Sequence, residues 1–316
     1  MKDLKIFTGS ANPSLAKKIT DYLGIELGSA EISRFSDGEI KVKFNENIRG
    51  TDVFIVQPTH PPAENLIELL IMLDAARRSS VRRVTAVMPY YGYARQDRKD
   101  QPRVSIAAKL VANLITTAGA DRVLTMDLHS SQIQGFFDIP FDHLYASINF
   151  FEYIKKLNLK DFVVVSPDVG SVKIARAYAK RLESSLAILD KRRPKPNSAE
   201  IVNLIGDVKG KNIIIIDDMV DTGGTILLAA KTLREHYAKD INVFCTHPVL
   251  SGDAVKKFEK SEIKLFAITD TIPLDNSKKI DIIDVVSVAN LFGEAIKRIH
   301  NEESLSSLFD WQNVQI

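Results

Sequence analysis

Residues 213–225, IIIIDDMVDTGGT, constrain this chain more than any other stretch. Four consecutive isoleucines are β-branched and apolar at every position, which suits a strand buried on both faces of a parallel sheet. Asp217 and Asp218 stand where that strand is expected to end. Asp221 and the small, permissive run Thr222-Gly223-Gly224-Thr225 follow. Ile226, Leu227, Ala230 and Leu233 then recur with helical spacing. The order is strand, acidic turn, glycine-containing loop, helix N-terminus. Such a loop aims several backbone N–H groups at one point, and the helix dipole favours an anion there. Glycine is also the usual punctuation between elements, so the loop alone is compatible with a plain β–α turn. The adjacent acids favour a ligand. Carboxylates beside a phosphate cradle suit a molecule with both phosphate and hydroxyls, or a phosphate with a metal.

The rest of the chain repeats this alternation. Strands are expected at 4–7, 40–44, 53–56, 84–88, 122–126, 162–165, 186–189, 241–246 and 265–269, with a short last one starting at 285. Helices are expected at 13–23, 65–77, 105–118, 172–182 and 289–300. This predicts an α/β chain of two similar domains, each a mostly parallel sheet flanked by helices. The 316 residues suffice for two domains, and position 150 is a fair boundary: 1–149 and 150–316, with the terminal helix free to pack back on the first. A net charge of +2 gives no general reason to expect nucleic acid. No apolar run approaches the ~20 residues of a membrane span, and no signal-peptide core is visible. The single cysteine, Cys245, lies in an apolar run and reads as a core residue, so a reducing cytoplasm is expected.

Four further stretches carry chemistry. Phe35-Ser36-Asp37-Gly38-Glu39 is a hairpin-type turn holding one aromatic. Residues 89–98, PYYGYARQDR, run from an aromatic cluster into alternating charges at a strand end. They form either a solvated loop or a nucleotide contact in which Arg95 grips phosphate in two-pronged fashion. Asp127-Leu128-His129 sits at another strand end, where ligands bind in open α/β sheets. A magnesium ligand is one reading of His129, although hard oxygens are the usual choice. Asp190-Lys191-Arg192-Arg193-Pro194 reads as a basic turn after a strand.

The loop at 217–225 resembles the phosphoribosyl-diphosphate loop of type I phosphoribosyltransferases. With FSDGE at 35–39, YARQDRKD at 93–100, DLHSSQIQGFFDIP at 127–140, SPD at 166–168, DKRRP at 190–194 and CTHPVLSG at 245–252, the chain resembles the ribose-phosphate diphosphokinases (phosphoribosyl-diphosphate synthetases) from Lys5 to Phe309. The resemblance implies a magnesium-dependent enzyme of nucleotide biosynthesis. It would convert ATP and ribose 5-phosphate to AMP and 5-phospho-α-D-ribose 1-diphosphate. It implies ATP contacts at Phe35, Asp37, Gly38, Glu39, Arg95 and Gln96, with the first loop supplied to a neighbouring subunit of a homohexamer. His129 and Asp168 are implied as ligands of Mg2+. Lys191 and Arg193 are the implied catalytic pair. Ribose 5-phosphate would be held by Arg193, Asp217, Asp218, Asp221, Thr222, Gly223, Gly224 and Thr225. Arg49, Ser304 and Ser306 keep the outline of a regulatory phosphate site. There are departures. Ser171 stands where the family usually has a glycine, Ile174 where it has an arginine, and Asn47 where it has a serine; Pro102 also differs. A phosphoribosyltransferase, or a non-catalytic regulatory member of the family, are the alternatives. The first lacks the nucleotide elements at 35–39 and 93–100, and the second is kept open by Ser171 and Ile174.

Overall fold

The computed structural model describes residues 3–192 and 201–309. They divide into two compact units. One runs to Tyr145 and takes in Thr271–Pro273 and the chain from Ser287; the other comprises Ala146–Asp270 and Leu274–Val286.

The first unit opens with β1 (Leu4–Thr8), α1 (Pro13–Leu23), β2 (Ala30–Arg34), β3 (Ile40–Phe44), β4 (Asp52–Val56), α2 (Glu64–Arg78), β5 (Arg83–Met88), α3 (Ala107–Thr117), β6 (Arg122–Met126) and β7 (Phe141–Leu144). Five strands form a parallel sheet in the order β1-β4-β5-β6-β7. All five residues of β4 are buried, as expected of a parallel strand covered on both faces. Val53 and Ile55 face a core completed by Leu66, Leu69 and Leu73 of α2 and Val111 and Ile115 of α3. β2 and β3 form a separate antiparallel hairpin, whose Phe44 packs edge-on against Phe7 with ring centroids 4.6 Å apart.

The second unit contains α4 (Ser147–Lys156), β8 (Phe162–Ser166), α5 (Val172–Arg181), β9 (Ser185–Arg192), β10 (Ile201–Ile205), β11 (Asn212–Val220), α6 (Gly224–Glu235), β12 (Ile241–Pro248), α7 (Ala254–Glu259), β13 (Ile263–Thr269) and β14 (Ile283–Val286). Its sheet has the order β10-β9-β8-β11-β12-β13-β14 and is parallel except for β10. The isoleucine run is buried throughout in the central strand β11. Ile213 and Ile215 share a core with Ile226 and Ala230 of α6 and with Phe258 and Phe266.

Two expected ends move. β11 does not stop at the isoleucines, because β12 continues beside it to Pro248. Asp217 pairs with Cys245 and Val220 with Pro248, so both acids lie on the strand. β9 likewise runs through Lys191 and Arg192, because the antiparallel β10 pairs with it and sets Lys191 opposite Val202. The expected basic turn is therefore strand up to Arg192.

The chain then returns to the first unit through α8 (Ala289–His300) and the short α9 (Ser306–Phe309). α8 lies close against α1. A Cβ on Gly293 would stand 2.5 Å from the Tyr22 ring, so only glycine permits this approach. The fully buried Asp52, at the start of β4, ties the other end of α8 to the sheet. It accepts from Arg83 Nε at 2.8 Å and from Arg83 Nη2, and lies 2.9 Å from His300 Nδ1; Arg83 also donates to the Ile299 carbonyl at 2.9 Å. Asp52→Ala is expected to lower unfolding free energy by about 2–3 kcal/mol, slightly below the scale for a fully buried pair because Arg83 keeps some solvent contact. Urea denaturation measures this, and a loss well under ~1 kcal/mol would mean that solvent replaces the carboxylate. Among the described residues, no helix is long and apolar enough to cross a membrane.

Candidate active site

The glycine loop of the second unit leads from β11 directly into α6. α6 starts at Gly224 with Gly223 as its N-cap, and no side chain caps the helix. A glycine at the N-cap contributes no side-chain oxygen of its own, in place of the Ser, Thr, Asp or Asn usual there. Gly223 has φ 77°, and a Cβ there would come within 2.7 Å of the Phe258 ring, so conformation and packing both demand glycine. Gly224 is different. A Cβ on it would meet only Thr222 Oγ1, at 3.9 Å. The loop is supported from behind, where Leu250 N–H donates to the Val220 carbonyl and Ser251 N–H to the Asp221 carbonyl, both at 3.0 Å. Thr222 is exposed and Thr225 half-buried.

The acids crowd at the end of β11. Asp217 Oδ1 accepts from its neighbour's N–H at 3.1 Å and from Ser171 Oγ at 3.3 Å. Ser171 also turns its N–H to Asp168 Oδ1 at 2.9 Å. The serine expected only as a departure thus links the loop after β8 to the end of β11. Loss of solvent, and then the negative charges of Asp218 and Asp168, push the Asp217 carboxyl well above the usual carboxylate range. Such crowding of negative charge favours ligand hydroxyls, which can donate, over a further anion at this spot.

In the first unit, Phe35 caps the β2–β3 hairpin. Its N–H donates to the Glu39 carbonyl at 2.9 Å, Gly38 turns the chain with φ 97°, and Asp37 Oδ1 accepts from Glu39 N–H at 3.1 Å. The tip is well formed, yet Phe35 is 53% exposed, with the Lys41 Nζ 5.8 Å from its ring centroid. The loop after β5 is anchored by the buried Tyr91, which donates to the Ala108 carbonyl at 2.8 Å, and by Ser105, which donates to Gln96 Oε1 at 3.2 Å. Arg95 and Gln96 are held there at the surface. His129 is exposed just past β6. Asn47 folds back so that its Oδ1 accepts from Arg49 N–H at 3.1 Å, and Ser304 and Ser306 are hydroxyl-bonded at 2.9 Å.

Asp168, Asp217 and Asp218 are thus brought together beside residues 221–225. Phe35, Asp37, Gly38 and Glu39 form one tip, and Arg95 and Gln96 belong to another element. Lys191 has its backbone on β9, and Arg193 lies outside the described residues. Among the described residues, no three His, Cys, Asp or Glu side chains converge as a ready-made metal cluster.

Two family descriptions match the chain. The N-terminal domain of ribose phosphate pyrophosphokinase matches residues 4–119, and the phosphoribosyl synthetase-associated domain matches residues 190–310. A ribose-phosphate pyrophosphokinase of Chlorobaculum tepidum is 57% identical over 98% of this chain and 96% of its own. The chain belongs to the ribose-phosphate pyrophosphokinase family. Relatives of the same name from Clostridium tetani and Bacillus subtilis are 55% and 52% identical, each over 98% of both chains. A crystal structure of phosphoribosylpyrophosphate synthetase from Mycobacterium smegmatis superimposes with a TM-score of 0.90 at 41% identity, covering 95% of this chain and 99% of that one. With membership of this family, the α/β fold with two mostly parallel sheets flanked by helices is the one that the sequence predicts.

Proposed function

We propose that the chain transfers the β,γ-diphosphate of ATP to the anomeric hydroxyl of ribose 5-phosphate, giving 5-phospho-α-D-ribose 1-diphosphate and AMP. The observation that carries this reading is the glycine N-cap of α6, with the open Gly224 and the acid-bearing end of β11 beside it, in a chain 57% identical to a ribose-phosphate pyrophosphokinase. The 5-phosphate sits on the backbone of 222–225. Asp217, Asp218 and Asp221 take the ribose hydroxyls. The anomeric oxygen bonds to the β-phosphorus of ATP while the bond from that phosphorus to the α,β-bridging oxygen breaks. The hydroxyl proton passes to solvent and AMP leaves. Little covalent work falls to the protein, so catalysis is positioning and charge stabilisation. Lys191 and Arg193 are assigned the positive charge at the transferring group, and Arg193 the sugar phosphate as well. The purified chain should release AMP from ATP only when ribose 5-phosphate is present; ribose-independent release, or none, would count against the reading.

Asp168 would be a ligand of Mg2+, and His129 is the other residue that the family resemblance assigns to the ion. A half-buried carboxylate fixed by a backbone N–H is a hard-oxygen donor, and so small a ligand set fits a magnesium that keeps its waters and binds mainly to substrate phosphates. Bound there, the ion would neutralise charge on the ATP phosphates.

The adenine is held by Phe35, Asp37, Gly38 and Glu39 of a neighbouring subunit in a homohexamer, with Arg95 and Gln96 on the nucleotide. The exposed aromatic at a rigid hairpin tip supports this reading. A double variant, Phe35→Ala with Glu39→Ala, mixed with Lys191→Ala, should regain activity through hybrid sites once subunits exchange. No regain despite proven exchange would place these residues in one subunit's site.

Regulation by phosphate persists at Arg49, Ser304 and Ser306 but couples weakly. Asn47 spends its Oδ1 on Arg49 N–H, and Pro102 stiffens the loop that should respond. Inhibition by ADP is then expected to be largely overcome by ATP, read from initial rates at several fixed ADP concentrations. Sigmoidal inhibition that saturating ATP leaves intact would contradict this.

A further inference from the structure

The segment that presents His129 departs from its strand abruptly. The ladder between β6 and β7 makes one bond beyond Met126, from Asp127 N–H to the Leu144 carbonyl at 3.0 Å. Asp127 then takes φ 35°, a left-handed conformation that a non-glycine residue adopts rarely. The turn carries the next N–H, that of Leu128, away from any strand carbonyl. Leu128 is buried, so water does not replace the lost partner.

The partner is a side chain from β7. Leu128 N–H donates to Nε2 of His143 at 2.9 Å, and His143 is itself buried. Because Nε2 accepts, the imidazole is neutral and carries its proton on Nδ1. The ring is braced by Tyr145, 4.5 Å away between centroids. Burial, and then the charge of Asp127, hold the Tyr145 phenol above its ordinary range. One imidazole therefore satisfies the backbone of the left-handed turn and fixes the residue immediately before His129.

We propose that His143 is a positioning residue: its Nε2 locks residues 127–129 in the conformation that presents His129 to the metal–nucleotide. This rests on the reading of His129 given above. The acceptor, rather than the bulk of the side chain, is the operative feature. In His143→Gln the glutamine Oε1 would stand the same number of bonds beyond Cβ as Nε2 of the histidine. In His143→Phe a ring would remain against Tyr145 without an acceptor.

The test compares His143→Gln, His143→Phe and His129→Ala with the parent chain. Measured are backbone amide exchange at Leu128 and the dependence of turnover on Mg2+ at saturating ATP. The KM for ribose 5-phosphate serves as the control. His143→Phe should speed Leu128 exchange and raise the half-saturating Mg2+ concentration roughly 10-fold, the low end for losing an outer-shell partner. The KM for ribose 5-phosphate should not move. His143→Gln should stay near the parent in both, and it decides the matter even if His143→Phe does not fold. Loss in the glutamine variant, or undisturbed Leu128 exchange in a folded phenylalanine variant, would overturn the proposal. A parent-like Mg2+ dependence in His129→Ala would instead overturn the reading on which it rests, while Leu128 exchange reports the His143 bond independently.

Discussion

Lys191→Ala should lower turnover by at least ~100-fold, the scale for losing one preorganised group that stabilises charge in a transition state. Binding of ribose 5-phosphate should change little, because the cradle we propose for it is the loop at 222–225 and the end of β11. The position is well suited to the task. Pairing of β9 with β10 fixes the backbone at Lys191 opposite Val202, so the residue starts from a strand and not from a mobile turn. Single-turnover rates with saturating ribose 5-phosphate measure the effect. Turnover that survives the change would make Lys191 one more solvated lysine.

Gly224→Val should raise the KM for ribose 5-phosphate by about 100-fold, equivalent to ~2.7 kcal/mol, or one to two charge-assisted hydrogen bonds. The chain should still fold. A Cβ at Gly224 would meet only Thr222 Oγ1, at 3.9 Å, and valine in an exposed first helical turn costs well under ~1 kcal/mol. Gly223→Val is the contrasting control. Its left-handed φ and the Phe258 ring at 2.7 Å predict loss of stability before any effect on the substrate can be read. An unchanged KM in folded Gly224→Val would place the 5-phosphate elsewhere.

What the sequence discloses depends on how local the cause is. α1 is legible at both ends: Asn12 Oδ1 accepts from Leu15 N–H at 3.2 Å, Pro13 opens the helix, and Gly24 closes it with φ 66°. The isoleucines announce β11 because burial on both faces needs no partner to be named. The end of β11 is not legible, since Asp217 to Val220 are strand only by virtue of β12 alongside. The same holds for β9 and β10, which define each other.

β7 escapes for a related reason. Two of its four residues, Asp142 and His143, are polar yet buried. Asp142 Oδ2 accepts from Arg122 Nη1 and His143 accepts from Leu128 N–H, and neither partner is close in sequence. α4 follows without a capping side chain to mark its start. In the site, the acids and glycines of 217–225 can be read together because they are contiguous. The roles given to His129, Asp168, Lys191 and Arg193 come from family resemblance, and the bond from Ser171 to Asp217 spans 46 positions that no local pattern connects.

The central claim is that a diphosphate, and not a single phosphoryl group, moves intact from ATP to the sugar. It is tested most directly with ATP labelled at the β-phosphorus, Mg2+ and ribose 5-phosphate, by resolving the products of the purified chain. The account predicts that all transferred label appears in 5-phosphoribosyl 1-diphosphate, with unlabelled AMP released in equal amount. Label retained in ADP, with only the γ-phosphate on the sugar, would contradict it.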